Sequence, residues 1–336
     1  MARSTPDDPL HRPSPADRLR VLALSGGGFL GLYTATVLAG LEERAGRPLG
    51  RCFGMLAGTS IGGLLAMALA FEVPMRTVTE LILAHGSRVF SHRPLPQGAV
   101  SRLLDLSRSV TGPKYGGREL REALRSVLGE RRLGEALHPL VIPAVDVLAC
   151  RTKVFKTQHG QARESDAELP IVDVVMAACA APAYFPSVMV GARLYADGGL
   201  FAVAPDQIAL HEAQHFLGIP PERVSMLSVG TATARYRPRE GVEDPQAGAV
   251  SWLSDGRLIL TLLSVQQQHV QAMMEDRLGS RYLRLDADWP AEAGLGIDVA
   301  TPQAAEVLQR LARETLASLD EARLAPFLQE RGARAG

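Results

Sequence analysis

Residues 21–31 read VLALSGGGFLG, and both the fold and the chemistry of the chain turn on what these glycines are for. A short aliphatic run, Val21–Leu24, meets Gly26, Gly27 and Gly28, and a helix-like pattern follows from Phe29. Gly26, Gly28 and Gly31 fit the G-x-G-x-x-G spacing that cradles the pyrophosphate of a dinucleotide. The same geometry, amides converging where a helix begins, serves equally well for an oxyanion formed during acyl transfer.

The next strand decides between the two. A dinucleotide-binding unit ends its second strand on an acidic residue that takes the ribose. Here the strand expected at Phe53–Ala57 runs into GTSIGG, and no Asp or Glu lies between Arg51 and Glu72. What stands there is Gly58-x-Ser60-x-Gly62, after a strand and before a helix, the context of a nucleophile elbow. A serine capping a glycine-rich turn would leave the same five residues, so the nucleophile needs a base. Asp197 in ADGGL followed by His211, His215 or His269 is one solution; a carboxylate taking the hydroxyl proton directly is the other. Asp197 follows the strand expected at Arg193–Ala196 and precedes Gly198 and Gly199, which favours the second.

Strand-SGGGFLG-helix, strand-GTSIGG-helix and strand-DGG therefore occur in one order, and in this the chain resembles the patatin-like phospholipases. The block ACAAPAYFP, Ala178–Pro186, is similar to one that precedes that family's catalytic aspartate, and the resemblance spans about Arg20–Val229. It implies an α/β fold of three α/β/α layers around a mostly parallel sheet. It implies Ser60 as nucleophile on an elbow framed by Gly58 and Gly62, and Asp197 as base on a loop with Gly198 and Gly199. The oxyanion hole would come from Gly26, Gly27, Gly28 and Gly31 with Ile61, the amides of Gly27 and Gly28 leading, and the chemistry would need no metal or cofactor. One departure stands out: the family's loop usually reads G-G-G-x-R/K-G, and Leu30 occupies the basic position.

The wording of SGGGFLGLYTATVLAGLEERAGRPL, AGTSIGGLLAMALAFEVP and PLVIPAVDVLACRTKVFKT resembles the bacterial effectors of cyclic-oligonucleotide (CBASS) antiphage signalling. That resemblance implies an enzyme that degrades membrane phospholipid at the inner face of the cell membrane once a cyclic di- or oligonucleotide activates it; the polar N-terminus without an apolar signal core reads as cytoplasmic, and whether the enzyme is a homo-oligomer is left open. The alternatives are a constitutive patatin-like lipase and an inert binding protein that kept the fold.

The rest of the chain sets bounds. Strands are expected at Arg20–Leu24, Leu140–Leu148, Lys153–Lys156, Ser187–Val190, Val224–Val229 and Tyr282–Leu285. Helices are expected at Phe29–Arg44, Ser60–Ala70, Pro74–Val89, Ile171–Ala180, Asp206–Leu217, Trp252–Leu278 and Gln303–Leu319, and this alternation argues for α/β by itself. With 36 basic and 36 acidic residues among 336, the chain has no electrostatic footprint for a DNA or RNA polymer. Cys52, Cys150 and Cys179 read as buried free thiols. Residues 1–18 read as a disordered leader, 19–325 as one domain with a motif core at 20–230 and a helical extension at 250–325, and 326–336 as a flexible tail. Cys52–Phe71 carries no charge and is long enough to span a bilayer, but its glycines favour a strand, a turn and a buried helix. His211-Glu212-Ala213-Gln214-His215 matches the zinc motif H-E-x-x-H, yet Pro221 stands where a third histidine would be. Between Ser91 and Gly117 the chain is irregular around a short helix at Val100–Ser107. Its Leu95, Val100, Leu103, Leu104 and Leu106 beside Arg93, Arg102 and Arg108 would make a landing surface for a membrane.

Overall fold

The computed structural model describes residues 18–93, 112–159, 166–234, 246, 248, 252, 257–288 and 294–330. Among the described residues eight strands form one sheet. They are β1 (Leu19–Leu24), β2 (Met55–Gly58), β3 (Leu140–Asp146), β4 (Arg151–Lys156), β5 (Val188–Val190), β6 (Arg193–Asp197), β7 (Val224–Val229) and β8 (Tyr282–Leu285). The spatial order is β5-β6-β3-β2-β1-β7-β8, with β4 also paired to β3. The run β3-β2-β1-β7-β8 is parallel, while β4, β5 and β6 are antiparallel to their partners.

β1 sits in the middle, and its alternating side chains feed two cores. Leu22 and Leu24 pack on one face; Leu19, Val21 and Ala23 pack on the other. Burial on both faces is why the strand reads as a continuous aliphatic run rather than as an apolar–polar alternation. The first face carries α1 (Gly31–Ala45), α2 (Ile61–Ala70), α3 (Met75–Val89), α4 (Arg118–Leu128) and α5 (Ile171–Ala178). The second is covered by α6 (Asp206–His215) and α7 (Arg257–Leu278). α8 (Pro302–Ala317) packs on α1, and α9 (Glu321–Leu328) follows it.

Strand order reverses at β1: the chain moves outward through β2 and β3 on one side and through β7 and β8 on the other. Crevices beyond the carboxyl ends of strands at such a reversal are where open α/β sheets place their ligands. The glycine loop leaves β1 there, and the GTSIGG turn leaves β2 beside it.

Several expectations need correcting. Helix α4 has no counterpart in the sequence reading, although Leu120, Leu124 and Leu128 recur at helical spacing; Leu124 and Leu128 are buried. The expected tail boundary at 325 falls inside α9, where Asp320 caps the helix through Ala322 N–H and Leu324 and Phe327 are buried. Cys52 and Cys179 are buried free thiols, but Cys150 is exposed in the turn joining β3 to β4, at φ 50°. The residues read as a landing surface lie, apart from Arg93, outside the described residues, as do the short helix at Val100–Ser107, residues 1–17 of the leader and residues 331–336 of the tail. Among the described residues no helix is long and apolar enough to cross a membrane.

Candidate active site

The turn after β2 is strained in the way an exposed nucleophile requires. Ser60 adopts φ 54° and ψ −124°, a conformation that L residues rarely hold, immediately before α2. The turn is locked from both sides. Thr59 donates from its N–H to Leu24 O at 3.1 Å and from its hydroxyl to Ala202 O at 2.7 Å. A side chain at Gly58 would overlap the Gly62 carbonyl, and one at Gly62 would overlap the Leu24 carbonyl. The elbow can therefore press against β1 only with glycine in both places. The positive end of α2 then points at the Ser60 oxygen.

Asp197 ends β6 and is held by its own loop: Gly199 N–H donates to its Oδ1 at 2.7 Å, and its N–H donates to Ala180 O at 3.0 Å. The residue is 4% exposed. Burial pushes its carboxyl up to about 6, against the opposing pull of hydrogen bonding to the Ser60 hydroxyl and to Gly199. Ser60 and Asp197, 137 positions apart in sequence, thus interact directly, and both line one cavity. Among the described residues no histidine lines it. His211, His215 and His269 are exposed on α6 and α7, so none of the three takes the place of the base.

The glycine loop forms the third wall, and its hydrogen bonds sort its amides. Gly26 N–H donates to Val203 O, Phe29 to Ile297 O, Leu30 to Gly27 O and Gly31 to Gly28 O. Gly26 and Gly31, expected among the oxyanion donors, have their amides committed to holding the loop. Among the described residues the amides of Gly27, Gly28 and Ile61 have no backbone acceptor, and all three residues line the cavity. Gly28 sits at φ 59° with its α-carbon against the Ile297 carbonyl, a place and a conformation that only glycine fits.

Leu30, in place of the family's basic residue, is fully buried. A cation reaches the loop from elsewhere. Arg284 of β8 donates to Ser25 Oγ at 3.0 Å, Ser228 Oγ at 2.8 Å and Asp286 Oδ2 at 2.8 Å. Sequence reading missed it because nothing near the glycines announces a partner more than 250 residues downstream. Nor does the sequence mark Cys179 as more than a buried thiol. The residue lines the cavity, interacts with the Ser60 hydroxyl, and is kept neutral by burial and then by the Asp197 charge.

The cavity encloses about 280 Å³. Leu64, Leu120, Ile259, Leu262, Leu263 and Ile297 are among its apolar walls. Phe90 and Phe185 also line it, packed edge-to-face at 5.9 Å and each against Tyr115. Two of its lining leucines, Leu200 and Leu262, stay 55% and 48% exposed.

The H-E-x-x-H residues are not arranged for zinc. His211 and His215 stack on the outer face of α6, while Glu212 turns inward to Lys156 and His159. Among the described residues no three His, Cys, Asp or Glu side chains are grouped to hold a metal.

A family model described as "Patatin-like phospholipase" matches residues 22–210. A cGAMP-activated phospholipase of Pseudomonas aeruginosa is 36% identical over 297 residues, covering 88% of this chain and 83% of its own. A cGAMP-activated phospholipase of Vibrio cholerae is 30% identical, covering 87% and 88%. Patatin-like protein 2 of Arabidopsis thaliana is 25% identical, covering 94% and 87%.

Proposed function

Since this chain belongs to the patatin-like phospholipases, a family of hydrolases, we propose that it cleaves the acyl esters of membrane phospholipid with a Ser60–Asp197 dyad and that a cyclic dinucleotide switches it on. The observation that carries the first half is a hydroxyl on a strained elbow, interacting with a lone buried carboxylate, at the wall of an apolar cavity that also holds uncommitted amides.

In this reading Ser60 Oγ attacks the ester carbonyl as its proton passes to Asp197, and the carbonyl electrons move onto oxygen. The amides of Gly27, Gly28 and Ile61 meet that oxyanion; they are fixed before the reaction, so no reorganisation accompanies the charge. Collapse breaks the ester bond, and Asp197 returns its proton to the departing lysolipid alcohol. Water then attacks the acyl-enzyme as its proton passes to Asp197, and collapse releases the fatty acid while Asp197 returns that proton to the departing Ser60 Oγ. A carboxyl held at about 6 takes and returns protons near neutral pH better than one in the ordinary carboxylate range. The leucine-rich cavity accepts the acyl chain, and its exposed Leu200 and Leu262 meet the bilayer during a transient visit.

The second half is supported by the two relatives named as cGAMP-activated, each matched over more than four-fifths of both chains. A role in antiphage defence at the inner membrane face, in a homo-oligomeric assembly, goes with it.

The test is hydrolysis of a fluorogenic phospholipid in vesicles by wild type, Ser60→Ala and Asp197→Ala, with and without cGAMP, cyclic di-AMP and cyclic di-GMP. Turnover by wild type alone, stimulated by a cyclic dinucleotide, is expected. Equal turnover by all three proteins removes the dyad. Full activity that no cyclic nucleotide changes makes the enzyme a constitutive lipase.

A further inference from the structure

A second, wider cleft of about 990 Å³ shares the aspartate loop with the acyl cavity: Leu200 lines the cavity and the next residue, Phe201, lines the cleft. Arg193 and Tyr195, on the strand that ends at Asp197, form another part of its wall. The remainder comes from β4 and one face of α6.

Its chemistry is the reverse of the acyl cavity's. Arg151, Lys153, Lys156 and Arg193 bring four cations against the three carboxylates Asp146, Asp166 and Glu212. The acids orient the cations: Arg193 meets Asp146 at 2.8 Å, Lys153 meets Asp166 at 2.8 Å and Lys156 meets Glu212 at 2.8 Å. Arg151 Nε also lies 3.7 Å from the Asp146 oxygen that Arg193 binds, and with side chains 57% and 50% exposed each guanidinium still presents an open side to an anion.

Flat rings stand beside them. His211 and His215 stack 5.2 Å apart at 10°, Phe216 lies edge-on to both, and Lys156 Nζ rests 3.4 Å from the centre of the Phe216 ring. Phosphate-seeking arginines next to exposed, parallel ring faces suit a ligand that carries both phosphodiesters and bases. The volume is at the upper end of small-ligand sites, roughly 300–1,000 Å³, which suits two nucleotides closed in a ring and exceeds the needs of a single phosphate.

We propose that this cleft is the regulatory site for the cyclic dinucleotide, with Arg151 and Arg193 on its phosphates and the His211–His215 stack against a base. The assignment rests on the nucleotide-activated reading above. It also supplies a route to the chemistry. Tyr195 pairs with Asp146 in the β6–β3 ladder, and the neighbouring pair on that face is Asp197 with Ala144. A ligand that engages Arg193 and Tyr195 grips the strand that carries the base. One that packs on Phe201 grips the loop that holds the base from the other side.

The experiment measures cGAMP affinity by calorimetry in a Ser60→Ala background, for the parent and for Arg151→Glu and the double variant His211→Glu/His215→Glu. All three substituted positions are exposed, and circular dichroism checks the fold. Each substitution is expected to weaken binding at least tenfold. In the Ser60-containing enzyme it should displace the activation curve by the same factor, relative to each variant's own basal rate. Cross-linking with an azido-purine analogue of cGAMP should label peptides within 146–156 or 193–216. Unchanged affinity in both variants, or cross-links confined to other peptides, overturns the site while leaving nucleotide control standing. Absence of binding and activation by cGAMP, cyclic di-AMP and cyclic di-GMP in the unsubstituted protein overturns nucleotide control and the site together.

Discussion

Two buried charges flank the glycine loop, and the fold treats them in opposite ways. On the cavity side, Asp197 has a hydroxyl and one amide for company and, among the described residues, no cation, and burial leaves its carboxyl pushed up to about 6. On the sheet side, Arg284 is equally buried. Burial works against its charge, but Asp286 first and Asp206 after it more than offset that, and Gln267, Ser25 and Ser228 accept from its two terminal nitrogens, while its Nε has no partner among the described residues. A compensated charge holds parts in place; an uncompensated one is a proton acceptor in waiting. The fold keeps one of each within reach of the same loop.

Neutralising the uncompensated charge breaks the contrast most directly. Asp197→Asn keeps an oxygen for Gly199 N–H but cannot take the Ser60 proton. Lipid and soluble-ester turnover should fall by about 10²–10⁴. The fold should gain. Holding an ionised carboxylate at about 6 instead of the ordinary value of 3.8 costs on the order of 3 kcal/mol at neutral pH. Thermal melts at pH 8 are therefore expected to place Asp197→Asn above wild type, and a lower melting point would mean that Asp197 is not the strained group it is taken to be.

Removing the compensated charge should do the reverse. Arg284→Met leaves Asp286 buried opposite no cation, and breaking such a pair costs about 3–5 kcal/mol. Arg284→Met/Asp286→Asn, which also neutralises the acid, should recover much of that loss, because Asn keeps an acceptor for the Thr233 and Ala287 amides. Chemical denaturation of both variants checks this. Equal losses in the single and double variants would show that packing, not charge, is what Arg284 contributes.

The two charges also differ in how far the sequence announced them. Asp197 was legible because its loop is local: a strand, then Asp-Gly-Gly, in a fixed order after the two glycine motifs. The parallel sheet was legible for the same reason, since buried β1, β2 and β7 read as mostly apolar runs, broken only by Arg20 in β1 and by Ser225 and Ser228 in β7. Arg284 sits in YLRL, a strand with nothing to mark its arginine as buried, and its role exists only because β8 joins β7 in the sheet. Helix α4 was hidden by the glycines and prolines that precede it, and its apolar stripe is a narrow one amid REL-REA-LRS. The sorting of glycine amides lay beyond sequence altogether, because Gly26 and Gly28 look alike until Val203 claims one of them.

Acidity sharpens the contrast further, and its sign is opposite for activity and stability. Asp197 accepts a proton only when ionised, so the rate on a soluble ester should fall about tenfold for each pH unit below about 6. The folded protein binds that proton more tightly than the unfolded chain does. The Asp197 contribution to stability is therefore full below the ordinary carboxylate range and is lost as pH rises through about 6. Activity should climb across the window in which this contribution disappears. Melts of Asp197→Asn should lack that component, and their advantage over wild type should vanish toward pH 4. A pH–rate profile with no acid limb near 6 would point to a different base.

The smallest effect falls on the link between the two charges. Ser25 donates from its N–H to Val229 O and accepts from Arg284, directly before the glycines. Ser25→Ala removes one acceptor while Ser228 still engages the same Arg284 nitrogen, so the loss in stability should be about 1 kcal/mol. If Arg284 only supports the sheet, kcat should be unchanged. If it positions the loop, the amides of Gly27 and Gly28 should lose register with the oxyanion, and kcat should drop several-fold with KM for a soluble ester unmoved, because such donors act on the transition state rather than on the bound substrate. Ser25→Thr, which restores the hydroxyl, should restore kcat. Recovery of the melting point without recovery of kcat would confine Arg284 to the sheet.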